Sequence, residues 1–292
     1  MITKALEQLE LSKLPILGKG VWGVVYDCGD GTIFKVTNLG GGVGNGREKI
    51  EREVAVLKSL AEVSFSSFAI PKHLNHFETT SRHIVLQMTK ISGRRMSASE
   101  LSRLTPAQRH LISASLTAAL LELHSALRRI EDPSIRRMDD ILHVVESSRY
   151  PFTPADLARV DQAIRLLAKR ALPTTLIHGD FNISNILLNE SLQVTGILDF
   201  AETCLGELED DLVSLTSDLP GLEHALLAAF DAGSRPVDPL KYSLAAVKRN
   251  LIGLVLQRYH LRAESEALIS EEQLDRALQA ATALEPLPFE HR

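Results

Sequence analysis

Only two cysteines, Cys28 and Cys204, occur in 292 residues, too few for a disulfide framework, and this suits a reducing compartment such as the cytoplasm. No run of about 18 apolar residues appears and no apolar segment follows a basic start, so neither a membrane span nor a secretory leader is expected. Basic excess is missing too. The formal charge of −5 excludes the electrostatic footprint that nucleic acid would call for. There is no internal repeat, and the one biased segment is GGGVGNG at 40–46, which reads as a flexible connection without a ligand. What remains is a chain with 45 % hydrophobic residues, long enough to bury one large core or two lobes, and with no mark of its oligomeric state.

The chemistry is concentrated in residues 178–200, HGDFNISNILLNESLQVTGILDF. TLIHGD runs from a short apolar strand into a polar loop, ILL is a second short strand, NES is a turn, and VTGILD returns as a strand ending at Asp199. Such a hairpin brings Asn185 and Asp199 to the same end, close enough to share an ion. Each residue alone is an ordinary turn former. Together, after HG and before DF, they have the carboxylate, amide, carboxylate layout of ATP-dependent phosphoryl transfer. Asp180 would orient the attacking hydroxyl, and Asn185 and Asp199 would hold magnesium, a hard cation that takes oxygen ligands.

Residues 18–25, GKGVWGVV, place Gly18, Gly20, Gly23 and Val25 in a GxGxxGxV pattern whose free backbone N–H groups can face phosphate oxygens. The pattern could also open a dinucleotide-binding unit, but that unit needs a helix next. Here VVYDCGDGTIFKV continues as two strands around an Asp30-Gly31 turn. Trp22 reads as a flap at the loop tip. Lys35 ends the second strand. Eighteen residues on, Glu53 sits at the edge of a helical stripe of Val54, Leu57 and Leu60, while Glu48, Lys49, Glu51 and Arg52 read as a solvated charged face. A strand lysine facing a helix glutamate makes the ion pair that positions the α and β phosphates of ATP.

With HGDxxxxN, ILDF and the following GELEDDL, the chain resembles the aminoglycoside phosphotransferase and choline kinase branch of the protein-kinase-like superfamily, by motif over about 15 to 220. The resemblance implies an α+β bilobal fold: a small antiparallel-sheet N-terminal lobe with one helix at 1–89, a hinge at 90–94, and a larger, mainly helical lobe at 95–292. It further implies ATP or GTP with magnesium as cofactors and a small-molecule hydroxyl as acceptor. Carried over by position, Asp180 is the catalytic base, Asn185 and Asp199 are the metal ligands, and Lys35 and Glu53 position the phosphates. In IVLQMTKISG, Met88 lies behind the adenine and the backbone of Thr89 and Ile91 meets its edge. Asp211 is expected to tie down the catalytic loop.

Three functions stay open: a small-molecule kinase, a protein Ser/Thr kinase, and a nucleotide-binding module without catalysis. Only eleven residues lie between Asp199 and Asp211, which leaves little room for a peptide platform. Glu202, Glu207, Glu209, Asp210 and Asp211 occur with no Lys or Arg among them, an acidic field that would draw a cationic, amine-bearing acceptor to the cleft. Choline itself is disfavoured by the lack of aromatics, at 5 % of the chain with Trp22 the sole tryptophan, because a quaternary amine wants an aromatic cage. Arg94-Arg95, Arg128-Arg129 and Arg136-Arg137 read as solvated faces, with an anionic acceptor as their other use. Thr105-Pro106 with Gln108, Thr153-Pro154 with Asp156, and Ser270 with Gln273 mark helix starts. The first opens a helix whose buried stripe is Leu116, Leu120, Leu123 and Leu127, with His124 beside it in a hydrogen-bonded structural role.

Overall fold

The computed structural model describes residues 13–20, 23–38, 46–79, 83–136, 153–169, 173–217, 219, 221–233, 236–258 and 271–284. Trp22, the glycine run at 40–45, Arg137 and Ser270 lie outside them, so the readings made there stay as sequence expectations.

Five strands form one antiparallel sheet in the order β1-β2-β3-β5-β4: β1 Ile16–Gly20, β2 Gly23–Asp27, β3 Thr32–Asn38, β4 His73–Glu78 and β5 His83–Thr89. The turn between β2 and β3 forms because Asp27 Oδ1 accepts the Gly29 N–H at 3.0 Å and Asp30 Oδ1 accepts the Thr32 N–H at 3.0 Å. Alternation along the strands splits the sheet into two faces. Phe34, Val36 and Val85 form a small outer cluster with Tyr26 and Phe77, while Ile84, Leu86 and Met88 turn toward helix α1, Gly46–Ser59. Lys35 stands opposite Val25 and Leu86 in register, so it too lies on the helix-facing side. The α1 stripe of Val54, Leu57 and Leu60 is buried there as its helical spacing predicts.

The remaining described elements are mainly helical: α2 Ala98–Ser102, α3 Pro106–Leu127, α4 Pro154–Leu167, α5 Leu208–Ser217, α6 Glu223–Ala232, α7 Pro239–Arg258 and α8 Glu271–Leu284. Helices α3 and α4 start with capping boxes, Thr105 with Gln108 and Thr153 with Asp156, and each has a proline in its first turn. Leu116, Leu120, Leu123 and Leu127 of α3 are fully buried and form the spine of the main core, which continues through α5 and α6. A second cluster joins α4, α7 and α8.

Two short antiparallel pairs lie between sheet and helices. Strands β7 Ile186–Leu188 and β8 Val194–Ile197 form the expected hairpin, with Ile186 opposite Ile197. Strand β6 Thr175–Ile177 pairs with β9 Cys204–Gly206, an element that its three residues do not announce in the sequence. The chain leaving β5 is bound to the β7–β8 hairpin. Arg94 and Leu188 exchange backbone hydrogen bonds of 2.9 Å in each direction, and Thr195 Oγ1 donates to the Ser92 carbonyl at 2.9 Å. The fold is thus α+β and bilobal, and the hairpin of Asn185 and Asp199 sits at the junction of its lobes.

Candidate active site

The loop between β6 and β7 carries Asp180. A 3₁₀ turn at Ile183–Asn185, capped by the Asn182 side chain on the Ser184 N–H at 3.0 Å, brings Asn185 back beneath it. Both oxygens of the half-buried Asp180 carboxylate accept amide N–H groups: Oδ1 from Asn182 Nδ2 at 2.7 Å and Oδ2 from Asn185 Nδ2 at 2.9 Å. Asn185 Nδ2 also donates to the Asp180 carbonyl at 3.0 Å. Asn182 escaped the sequence reading, although its place between Asp180 and Asn185 was a usable signal.

Below this loop, Asp211 near the start of α5 is fully buried and accepts the backbone N–H of His178 at 2.8 Å, that of Gly179 at 2.9 Å and His124 Nε2–H at 2.8 Å. The tie expected of Asp211 is present, and His124 plays the structural part expected of it. Asp180 N–H donates to His178 Nδ1 at 3.3 Å and His178 Nε2–H donates to the Leu198 carbonyl at 3.1 Å, an assignment that the two partners impose on the ring. His178 thereby links the Asp180 loop to the residue before Asp199, between the rings of Phe181 and Phe200.

Gly179 has φ 82° and faces the Glu202 backbone so closely that an added Cβ would stand 2.1 Å from that carbonyl oxygen. Gly179→Ala combines a left-handed non-glycine backbone with a clash against main chain, and it should cost about 1–3 kcal/mol. A thermal-melt comparison checks this. An unchanged midpoint would mean that the loop takes up the side chain freely.

Lys35, Glu53 and Asp199 meet across the two lobes. Lys35 Nζ lies 2.7 Å from Glu53 Oε2 and 2.7 Å from Asp199 Oδ1. Glu53, beside the Val54 and Leu57 stripe, is fully buried, and its second oxygen accepts the Phe200 N–H at 3.3 Å. Burial disfavours the Lys35 ammonium, but the Asp199 and Glu53 charges outweigh it and raise its pKa above the ordinary lysine range. For Asp199, burial pulls upward and the adjacent ammonium pulls further down, so its pKa is lowered. Burial pushes the Glu53 carboxyl up against the pull of Lys35. Asp199 has φ 64°, a conformation that persists because Lys35, Glu53 and the Ala201 N–H hold the turn from several sides.

Asn185 and Asp199 each keep an oxygen of the kind a hard cation takes. Asn185 spends its amide N–H groups on Asp180, which leaves Oδ1 without a hydrogen-bond partner among the described residues. The same holds for Asp199 Oδ2, because Oδ1 takes Lys35 and the Ala201 N–H. Leu198 N–H donates to the Asn185 carbonyl at 2.9 Å, so the two side chains start from bonded backbone. No group of three or more His, Cys, Asp and Glu fit for a metal occurs among the described residues, and magnesium between phosphates needs only one or two protein oxygens.

The glycine segment is the β1–β2 hairpin, with Gly20 opposite Gly23 and Val25 opposite Gly18. At Gly23 a Cβ would come within 2.2 Å of the Val36 carbonyl oxygen, so this position has no room for a side chain. Met88 is buried in the core cluster beside Leu86. Thr89 N–H donates to the Lys72 carbonyl at 3.0 Å, whereas the Ile91 backbone forms no hydrogen bond among the described residues and remains available to a ligand edge.

Two expectations need correction. Arg52 does not belong to a solvated face: it is 5 % exposed, and its Nη1 donates to the Ala201 carbonyl at 2.9 Å. Nor do the acids after Asp199 form a free field over the cleft. Glu202 pairs with Lys49 and lies 3.8 Å from Arg52, and Glu207 lies 3.1 Å from Lys241. Glu209 is buried and accepts the Asp238 N–H at 3.3 Å, and Asp210 caps the Glu207 N–H at 2.9 Å with Lys248 at 3.9 Å. As first-turn residues of α5, three of these acids also complement its N-terminal dipole. Of the arginine doublets, Arg94 is paired with Glu100 at 2.6 Å, and Arg136 donates to the carbonyls of Ile130 and Thr174.

A family model described as the phosphotransferase enzyme family matches residues 27–244, well over half of the chain. The chain belongs to that family. No match was found among curated proteins. Among solved structures, the gentamicin complex of APH(2")-IIa superposes with a TM-score of 0.66 at 16 % identity, over 97 % of this chain and 96 % of that one. The GDP complex of wild-type aminoglycoside 2'-phosphotransferase-IIIa gives 0.64 at 16 %, over 97 % and 95 %. Choline kinase LicA from Streptococcus pneumoniae gives 0.64 at 13 %, over 97 % and 99 %. At such identities the likeness concerns the fold alone: this phosphotransferase shares the α+β bilobal architecture of those proteins.

Proposed function

We propose that this phosphotransferase moves the γ-phosphate of ATP, or of GTP, to a hydroxyl of a small molecule. One observation carries the reading: Asp180, Asn185 and Asp199 gather at one end of the β7–β8 hairpin, and Lys35, held by Glu53, reaches Asp199 from the opposite lobe. In this reading residues 1–89 form the nucleotide lobe, 90–94 the hinge and 95–292 the catalytic and acceptor lobe. The nucleotide lies between the β1–β2 hairpin and the hairpin end, with Gly18, Gly20, Gly23 and Val25 over its phosphates. Met88 backs the base, and the Thr89 carbonyl and the main chain of Ile91 meet its edge, the Thr89 N–H being taken by Lys72. Magnesium, held by Asn185 and Asp199, supplies charge neutralisation on the phosphate oxygens. Asp180 accepts the proton of the acceptor hydroxyl as its oxygen bonds to the γ phosphorus and the bond from that phosphorus to the bridging oxygen breaks, releasing ADP or GDP, and the Asn182 and Asn185 amides fix the direction in which its carboxylate faces. Use of ATP favours a cytoplasmic protein.

The short span from Asp199 to Asp211 supports a small acceptor over a peptide. It is filled by β9 and the first turn of α5, both packed against the catalytic loop. A cationic acceptor would have to be held by groups other than the acids of this span, whose charges are already met. The test is transfer of label from γ-labelled ATP, with magnesium, to a panel of sugars, amino sugars, amino alcohols and bulk protein. A labelled small ester is expected. Label entering only the protein fraction would establish the protein kinase alternative, and none leaving ATP would leave a binding module.

A further inference from the structure

Arg52 and Glu53 are neighbours in α1, and both grip the turn that follows Asp199. Glu53 Oε1 accepts the Phe200 N–H at 3.3 Å, and Arg52 Nη1 donates to the next carbonyl, that of Ala201, at 2.9 Å. The guanidinium also lies 3.8 Å from Glu202 and 3.4 Å from Glu48. A charge with 4 % of its side chain exposed is costly to bury unless it is paired and hydrogen-bonded, and every contact cited here joins it either to its own helix or to this turn. The far side of the turn bears on catalysis. The Glu202 backbone packs against Gly179, the residue before Asp180, with no room for a methyl group between them. One rigid path therefore runs from α1 through Ala201 and Glu202 to Gly179 and Asp180, and a branch runs back through Phe200 to Asp199.

We propose that Arg52 is a positioning residue: a latch that docks α1 on the turn after Asp199, so that Lys35, Glu53, Asp199 and Asp180 stand in working register before nucleotide or acceptor binds. This rests on the function proposed above, and it adds that no separate activating event is needed to seat α1. Lys49, one helical turn earlier, joins the same surface through Glu202. Arg52 is unlike the other charges of α1 because a neutral main-chain carbonyl is its shortest partner, which makes geometry rather than net charge its contribution.

The experiment compares wild type with Arg52→Met and Arg52→Lys by amide hydrogen exchange and by steady-state kinetics. In Arg52→Met the amides of residues 200–203 should exchange faster while those of the α3 core keep their protection. Turnover should fall on the order of 10- to 100-fold with the acceptor KM little changed, as misplacement of reacting groups by about 1 Å would cause. Arg52→Lys retains a charge and one donor for the Ala201 carbonyl, so it should recover part of both effects, and it serves if the methionine variant does not fold. Unchanged exchange at 200–203, or faster exchange spread evenly through 200–203 and α3, would overturn the latch. The exchange readout needs no catalysis, so a wild-type protein that transfers no phosphate would defeat the proposed function without deciding the latch.

Discussion

Asp180→Asn should lower turnover by roughly 10²- to 10⁴-fold, the range that a positioned general base supplies. The surroundings sharpen this expectation. Both Asp180 oxygens accept amide N–H groups, so an asparagine there sets its own NH₂ against that of Asn182 or Asn185. With the new NH₂ turned toward Asn182 the conflict stays on that side, where Asn182 Oδ1 is already committed to the Ser184 N–H, and the Asn185 oxygen is left undisturbed. Nucleotide affinity should then hardly change, and the loss should appear in kcat. Calorimetric titration with the nucleotide, beside initial rates, separates the two. A variant that keeps more than about a tenth of wild-type turnover would show that acceptor positioning alone carries the step.

Asp199→Ala should remove the part of nucleotide affinity that depends on magnesium, and turnover with it. Asp199 keeps one oxygen without a hydrogen-bond partner among the described residues and is one of two carboxylates on Lys35. Its loss leaves the Lys35–Glu53 pair, so the sheet and α1 should stay together, but a left-handed residue loses two of the contacts that hold it, so stability without nucleotide should fall by about 1–3 kcal/mol with the fold kept. In wild type, nucleotide with magnesium at one hundred times its dissociation constant should stabilise the fold by about 2.7 kcal/mol, and the variant should lack the magnesium-dependent share of this. An affinity in magnesium equal to that of wild type would remove Asp199 from the metal site.

Why some of this was legible and some was not has a physical answer. The β7–β8 hairpin, the β1–β2 hairpin, the α3 stripe and the two capping boxes are set by near neighbours: a turn sequence between apolar runs, a helical spacing, a side chain reaching three residues along. Asn185 and Asp199 could be placed because they flank the two strands of the β7–β8 hairpin; Lys35 and Glu53 stand in the middle of β3 and α1, so Lys35 does not end its strand as expected, and its side is set by the strand alternation and that of Glu53 by the helical spacing. Arg52 could not be told from Glu51, since the carbonyl that buries it is 149 positions away. The acids after Asp199 read as a free field because Lys241 and Lys248, which meet Glu207 and Asp210, lie on α7 and enter through tertiary packing alone. Strand β9 has three residues and no pattern of its own, and its pairing with β6 depends on Asp199 having already turned the chain.

In the function proposed above, phosphate passes from nucleotide to a small alcohol beside Asp180. A single turnover with γ-labelled ATP, magnesium and the best acceptor of the panel tests it most directly, run with wild type and with Asp180→Asn. One labelled ester is expected for each ATP consumed, formed far more slowly by the variant. Label released only as free phosphate, at the same rate from both proteins, would contradict it.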